Sequence, residues 1–293
     1  MKRLILLGCI ATALTGAIST GRAETIFGLS TVNSIFSFDS ATPGTATAAI
    51  TISGVTGGAT ITDIDFSPVA GTLYGIATNG DLYRIDTTTG AATLTIGVGA
   101  QIAPNTITAP TVMDFNPAAD RIRIFEGSSN FRLTGDATTF DSAQTAGTVS
   151  IDGTFSGVGG ANLVAAAYTN NFNGTGSTTL YSLNTTGGNS LVIHSGLTFS
   201  TIAEVGALGV NIGTTNVGFD ISALQGAATG FVSDDDNFYT VDLATGAATL
   251  VGVIGNGALT TQSIAASTVP EPTVAALGAI GLLGLLARRR RNA

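Results

Sequence analysis

The chain has 293 residues, 44% hydrophobic and only 10% charged, with a formal net charge of −8 and pI ≈ 4.4. Seven of its eleven basic residues lie in the first 22 and last six positions, so four arginines (Arg84, Arg121, Arg123, Arg132) face nineteen acids between them and leave −15; nucleic acid and anionic membrane surfaces are poor partners for that charge. The only cysteine is Cys9, inside an export signal, which removes disulfides, thiolate catalysis and cysteine metal sites from the exported part.

The first 23 residues read MKRLILLGCIATALTGAISTGRA. Lys2 and Arg3 supply charge, Leu4 to Ile18 an apolar stretch, and Gly21-Arg22-Ala23 small residues at a cleavage point. This is the pattern of a secretory signal peptide, cut between Ala23 and Glu24. Leu7-Gly8-Cys9 has the look of an acylation site, but only four apolar residues precede Cys9, too few for a full apolar region.

Residues 24–268 form one repeat domain in this reading. Strand-like blocks recur as SIFSFD, DLYRID, NFRLTGD, TLYSLN and NFYTVD, each alternating apolar and polar positions. Between Ile35, Leu82, Phe131, Leu180 and Phe238 the steps are 47, 49, 49 and 58 residues, a spacing that marks a repeat architecture. The second unit is clearest: ITDIDFSP, GTLYGIAT, DLYRIDT and AATLTIGV, with Asn79-Gly80 predicting a type I′ hairpin turn. Four short antiparallel strands per unit predict a blade of an all-β propeller. The third unit echoes it, Asp65-Phe66-Ser67-Pro68 returning as Asp114-Phe115-Asn116-Pro117, and Phe66 and Phe115 are expected to fill the space between blades. The first unit shows only three strands, while Leu259 to Ser267 is left over. Pairing the two closes the ring and removes its open edges. Five blades are expected, with six as the alternative because the last interval is long.

Few residues suggest chemistry. His194 is the only histidine; with Ser195 beside it and no G-x-S-x-G elbow, a strand-end histidine explains it better than a catalytic triad. Asp234, Asp235 and Asp236 form the only dense acidic loop. They have the oxygen donors for Ca²⁺, yet adjacent acids do not all point at one ion and the EF-hand pattern is missing, so a solvated turn is the simpler reading. Asp63, Asp65 and Asp114 stand at alternate or equivalent positions of inner strands and are candidates to line the channel; strand-end hydrogen bonding accounts for them as well. The loop Asn170 to Gly176 is polar around Phe172, with a composition suited to sugar contact or simply to a turn.

The C-terminal segment 269–293 runs VPEPTVAALGAIGLLGLLARRRRNA. Thr273 to Ala287 is apolar or small, shorter than the roughly 20 residues of a comfortable membrane helix, and Arg288, Arg289, Arg290 and Arg291 would hold its end on the cytoplasmic side. Pro270 and Pro272 keep the segment around Glu271 extended. Physics alone leaves an ordinary anchor and a processing signal equally open. The order and spacing of Pro270-Glu271-Pro272, apolar helix and arginine cluster resemble the PEP-CTERM sorting signal. That resemblance implies recognition by an exosortase, a membrane transpeptidase-like enzyme of Gram-negative bacteria, commonly in species that make extracellular polysaccharide.

A second resemblance covers most of Ile26 to Gly255: DFNPAADRIRI, AAAYTNNF and FYTVDLATGAATLVG look like a family of secreted bacterial propeller-like domains of unknown function. It supports the fold and carries over no catalytic residue. The expectation is therefore an exported, sorted, non-catalytic surface or matrix protein, using the secretion machinery and binding polysaccharide or an envelope protein, with no cofactor required. The competing class is a Ca²⁺-dependent propeller hydrolase or lyase. Inward acids converging on one point favour the enzyme; a channel lined by Thr, Ala and Val favours the scaffold.

Overall fold

The computed structural model describes residues 23–98, 101–102, 105–137, 139–224 and 228–267. The expected signal peptide up to residue 22 and the sorting tail, including Pro270, Glu271, Pro272 and the four arginines, lie outside these. The described residues form five antiparallel sheets arranged as the blades of a propeller.

In blade 1, β1 (Thr25–Ser30), β2 (Ser34–Asp39) and β3 (Thr42–Ala46) follow one another, and the short β4 (Ile50–Thr51) pairs with β2. Blade 2 is β5 (Ile61–Phe66), β6 (Leu73–Ala77), β7 (Leu82–Ile85) and β8 (Ala92–Ile96). Blade 3 has β9 (Gln101–Ile102) added in parallel to the outer edge of β10 (Val112–Asn116), β11 (Arg121–Glu126), β12 (Ser129–Gly135) and β13 (Gly147–Thr154). Blades 4 and 5 are β14 (Leu163–Tyr168), β15 (Leu180–Asn184), β16 (Ser190–Ser195), β17 (Thr201–Ala207), then β18 (Val217–Ile221), β19 (Thr229–Asp234), β20 (Asn237–Asp242), β21 (Ala248–Val253). The final strand, β22 (Thr261–Ala266), returns to blade 1 and pairs antiparallel with β1, Ile26 opposite Ala266. The leftover strand thus closes the ring as its innermost member.

Burial follows the radius. Inner strands such as β18 are buried along their whole length, whereas the outer β21 is mostly exposed, because each blade is covered on both faces by its neighbours while its outer edge meets water. Each joint between blades holds its own apolar cluster: Leu29, Ile35, Ile64 and Phe66 between blades 1 and 2, Tyr74, Ile76, Phe115 and Ile122 between 2 and 3, Phe125, Leu163, Tyr168 and Val192 between 3 and 4. Leu183, Leu191, Phe219 and Val232 fill the next joint, and Ile26, Phe36, Phe38 and Phe238 the last. Phe66 packs edge-on against Phe27 at 5.3 Å and Phe115 against Tyr74 at 5.2 Å, so both fill the joints as expected.

Two local expectations need correction. TLYSLN supplies β15, the second strand of its blade, whereas the other four blocks supply third strands. The equivalent residue in blade 4 is Leu191, and the true steps become 47, 49, 60 and 47 residues. The extra length lies in the connections 136–146 and 169–179, not in a hidden blade, so the six-blade alternative falls. Asn79-Gly80 does not form a type I′ turn: Gly80 alone has positive φ, 85°, and its N–H donates to Ala77 O at 2.8 Å. Asn79 instead folds its side chain onto Asp81, Oδ1 accepting from Asp81 N at 3.2 Å and Nδ2 donating to Oδ2 at 2.8 Å. A local amide cap outcompetes the two-residue hairpin.

Candidate functional site

The inner strands β22, β5, β10, β14 and β18 line the axis. At one level of the ring stand Ala265, Asp65, Asp114, Ala167 and Asp220, one per blade. Each Asp reaches the backbone of the next blade: Asp65 Oδ2 accepts from Phe115 N at 2.7 Å, Asp114 Oδ1 from Tyr168 N at 2.9 Å, and Asp220 Oδ2 from Ala266 N at 2.5 Å. One level lower, Asp63 Oδ2 accepts from Met113 N at 2.6 Å, and its Oδ1 accepts from the Ser263 hydroxyl of blade 1. These bonds exist because inner strands of neighbouring blades converge too closely for apolar packing yet are too divergent to pair as a sheet, leaving N–H groups that need acceptors. Gly218, two residues before Asp220, shows how tight the ring is; a Cβ there would sit 2.6 Å from Ile264 N.

The carboxylates of Asp65, Asp114 and Asp220 also meet each other. Their donor oxygens lie within 4.8 Å of one another, and the residues are 1, 4 and 2% exposed. Burial, then Coulomb repulsion within the set, holds Asp65 and Asp114 well above the usual carboxylate range. Asp220 is pushed up to about 7 by burial against its backbone hydrogen bonds, and Asp63 to about 7 by burial against its bonds to Ser263, Met113 and Ile64.

Asn171 completes this site. It leaves the C-terminal end of β14 in blade 4 and crosses to blade 2, where Nδ2 donates to Phe66 O at 3.1 Å and approaches Asp65 Oδ1 at 3.4 Å. The residue is 2% exposed, and its Oδ1 is buried with no hydrogen-bond partner among the described residues. Asn171 thereby covers one end of the channel. At the other end a cavity of about 440 Å³ is lined by residues from all five blades, among them Thr62, Thr111, Asn162, Asn216 and Gln262. The channel is a cup, with its mouth at the N-terminal ends of the inner strands.

The other candidates scatter. Asp234 Oδ1 accepts from Gly213 N at 2.8 Å, Asp235 Oδ1 from Asn216 Nδ2 at 3.0 Å, and Asp236 Oδ1 from Asn237 Nδ2 at 3.3 Å; the three point apart. His194 stands near the end of β16, as expected, but is buried at 3%. Its Nδ1–H donates to Phe199 O at 2.8 Å, which leaves Nε2 to accept from Ser182 Oγ at 2.7 Å. Burial pulls its pKa down to about 4, so the ring is a neutral link between β15 and β16. Ser195 is exposed and donates to Thr201 O at 3.3 Å. Phe172 is half-buried, and the buried member of its loop is Asn171. Glu24, at the expected cleavage point after the half-buried Ala23, is buried and accepts from Ser222 Oγ at 2.5 Å, tying blade 1 to blade 5.

Asp220 was missed in the sequence because GFDIS has no neighbouring repeat of the D-F-[SN]-P block; its signal was its spacing before the NFYTVD strand. Arg123 carried no visible signal. It is 3% exposed, with Nη1 2.7 Å from Asp152 Oδ2 and 2.8 Å from Asn130 Oδ1, and Nε 3.1 Å from Tyr168 OH. It locks blade 3 to blade 4.

The profile of the family described as domain of unknown function DUF4394 matches residues 34–265, and the PEP-CTERM protein-sorting motif matches residues 268–291. The chain belongs to the DUF4394 family and carries that sorting motif, which makes it an exported protein sorted by an exosortase-type system to the cell surface. No curated protein matches it. Among solved structures it is similar to a chain of the nidogen/laminin complex, at 10% identity and TM-score 0.49, over 84% of this chain and 98% of that one. It is also similar to a chain of the structure described as "The de novo evolutionary emergence of a symmetrical protein is shaped by folding constraints", at 14% and 0.48, over 85% and 100%. The Dos1 propeller is similar at 13% and 0.40, over 78% and 58%.

Proposed function

We propose that this member of the DUF4394 family is a non-catalytic surface or matrix protein that displays a polysaccharide-binding cup, with the sorting motif releasing or attaching it. The observation that carries this reading is the opposition of the two faces. Ser267 N donates to Thr25 O at 2.9 Å, so both the start of β1 and the end of β22 lie on the Asn171 side. The sorting motif follows from residue 268, so the described chain ends on the side opposite the cup's mouth. The polar groups around that mouth are the hydroxyls and amides of Thr62, Thr111, Asn162, Asn216 and Gln262, set beside Pro110, Leu163, Val164 and Val217. Uncharged donors and acceptors suit neutral sugar hydroxyls, and a cavity of about 440 Å³ falls within the usual range for small-ligand pockets. The −15 charge of the exported part points the same way, since it repels polyanions.

In this reading Pro270-Glu271-Pro272 is the element the exosortase reads, while the apolar run and Arg288 to Arg291 position it in the membrane. Glu271→Ala is expected to leave insertion unchanged and to accumulate unprocessed chain in the membrane fraction. Processing at the parent rate in a cell containing the sorting enzyme would reduce the tail to an anchor. For the cup, binding of neutral polysaccharide from the producing cell is expected to weaken at least tenfold in Gln262→Ala combined with Asn216→Ala. Undiminished retention on the same glycan would sink the assignment.

A second reading, a Ca²⁺-dependent hydrolase or lyase acting in the channel, takes support from the convergence of Asp65, Asp114 and Asp220. The scaffold is preferred because these carboxylates lie three residues, about 10 Å, beyond the mouth, too deep for a sugar ring to follow past Asp63.

A further inference from the structure

We infer that Asp65, Asp114, Asp220 and Asn171 form a binding site for one divalent cation of the calcium class on the propeller axis. The inference is independent of the polysaccharide reading and concerns atoms that the mouth does not contain.

Spacing comes first. Calcium holds oxygens at about 2.4 Å, so two ligands on opposite sides of one ion are at most about 4.8 Å apart. The donor oxygens of the three acids lie within that distance, 4.8 Å, of one another.

The donors are also built in. Three carboxylates supplied by three different blades are buried side by side, and no basic side chain is hydrogen-bonded or ion-paired to any of them among the described residues. Backbone N–H groups satisfy one lone pair on several of their oxygens: Phe66 N and Phe115 N on Asp65, Tyr168 N on Asp114 Oδ1, Ile221 N and Ala266 N on Asp220. They leave the other lone pairs, and Asp114 Oδ2, to something else. Such a concentration of negative charge in a water-poor place is costly unless a cation or protons compensate it.

Asn171 is the second, separate observation. A buried amide whose oxygen has no partner forfeits a hydrogen bond's worth of solvation, and chains retain such groups where a ligand completes them. Its amide stands beside Asp65, 3.4 Å away through Nδ2. Oδ1, on the same amide, stays buried and unpaired beside the cluster while Nδ2 keeps its bond to Phe66 O, and it is the fourth oxygen offered to the ion. Calcium takes 6–8 oxygens; bidentate carboxylates or waters from the open mouth fill the remainder. The mouth gives the ion its route, and Asn171 closes the far side.

The test uses the whole purified protein, stripped with a chelator and titrated with CaCl₂ near neutral pH. Saturating calcium is expected to raise Tm by about 5 °C or more, reversibly with chelator. Asp220→Asn and Asp114→Asn, which keep shape and an acceptor, are each expected to weaken binding at least tenfold. Asn171→Ala is expected to weaken it less, and Asp235→Asn not at all. Location is read without any variant from anomalous scattering of crystals soaked in terbium, a calcium substitute: density among Asp65, Asp114 and Asp220 supports the site. No calcium effect on Tm and no heat, or density only at Asp234 to Asp236, overturns it.

Discussion

The chain contains two sets of three acids that behave oppositely. Asp234, Asp235 and Asp236 are consecutive, yet each turns to its own partner, Gly213, Asn216 and Asn237. Asp65, Asp114 and Asp220 are separated by 49 and 106 residues, yet their oxygens meet within 4.8 Å. Asp234 ends β19, Asp235 has φ 52° and Asp236 stands in the turn before β20, so the reversing backbone sends successive carboxylates in different directions. Equivalent positions of a closed ring all face the axis, so repetition gathers them. The same charge is cheap in the first place, where water solvates it, and expensive in the second, where only backbone N–H groups and other acids surround it.

The largest effect is expected from opening the ring. Removing Leu259 to Ser267 takes away β22, and with it Ala266 N, the partner of Asp220. The edge of β1 and the apolar joint around Ile26, Phe36 and Phe38 become exposed, and aggregation is the expected outcome in size-exclusion chromatography. A soluble monomer with the parent Tm would show that the axial acids do not depend on closure.

Next is Asp65→Ala. It leaves Phe115 N buried without its acceptor, while Asn171 keeps its bond to Phe66 O. One orphaned buried polar group costs about 1–3 kcal/mol, or roughly 2–12 °C in Tm for a domain of this size. Calorimetry giving a change under 2 °C would mean that the axial ladder contributes nothing.

pH tests the burial of the axial set. The axial acids Asp63, Asp65, Asp114 and Asp220 have raised folded-state pKa values, about 7 for Asp63 and Asp220, against about 4 when unfolded. Between those values the folded state binds more protons than the unfolded one, so stability is fully present below about pH 4 as far as these groups are concerned and is lost as pH rises through about 7. Chelator-treated protein is expected to melt lower at pH 8 than at pH 5.5. The exposed, hydrogen-bonded Asp86 and Asp136, whose pKa values are lowered by their threonine partners, act at lower pH and do not mask this. A Tm that rises from pH 5.5 to 8 in chelator would contradict the protonated axis.

The smallest effect is expected at the turn. Asp235→Asn removes an exposed charge and keeps an acceptor for Asn216, so Tm is expected to move by less than about 1 °C. A larger loss would make the consecutive acids structural after all.

Much of the architecture was legible. Period-two alternation in ITDIDF and DLYRID, the near-fifty-residue spacing and the unmatched segment Leu259 to Ser267 led to blades and to their closure, because these patterns reflect local burial that every blade repeats. The reading slipped where two patterns resemble each other: TLYSLN looks like a third strand, and only its pairing with β14 and β16 shows that it is a second. Asn79-Gly80 has the composition of a tight hairpin, but the amide's bonds to Asp81 decided the turn. The channel was half legible, since Asp63, Asp65 and Asp114 stood out by repetition while Asp220 and Asn171 did not.

What the sequence alone determined is therefore what depends on neighbours along the chain: strand alternation, turn residues, repeat length, and the sorting motif, whose recognition needs only order and spacing. What only the tertiary structure decided is which residues share the axis. Asn171 is a loop residue by composition, and its burial follows from the distance a connection in blade 4 must cross to meet Asp65 and Phe66 in blade 2. Such convergence depends on blade number and on the inclination of the inner strands, properties of the closed ring that no single segment encodes.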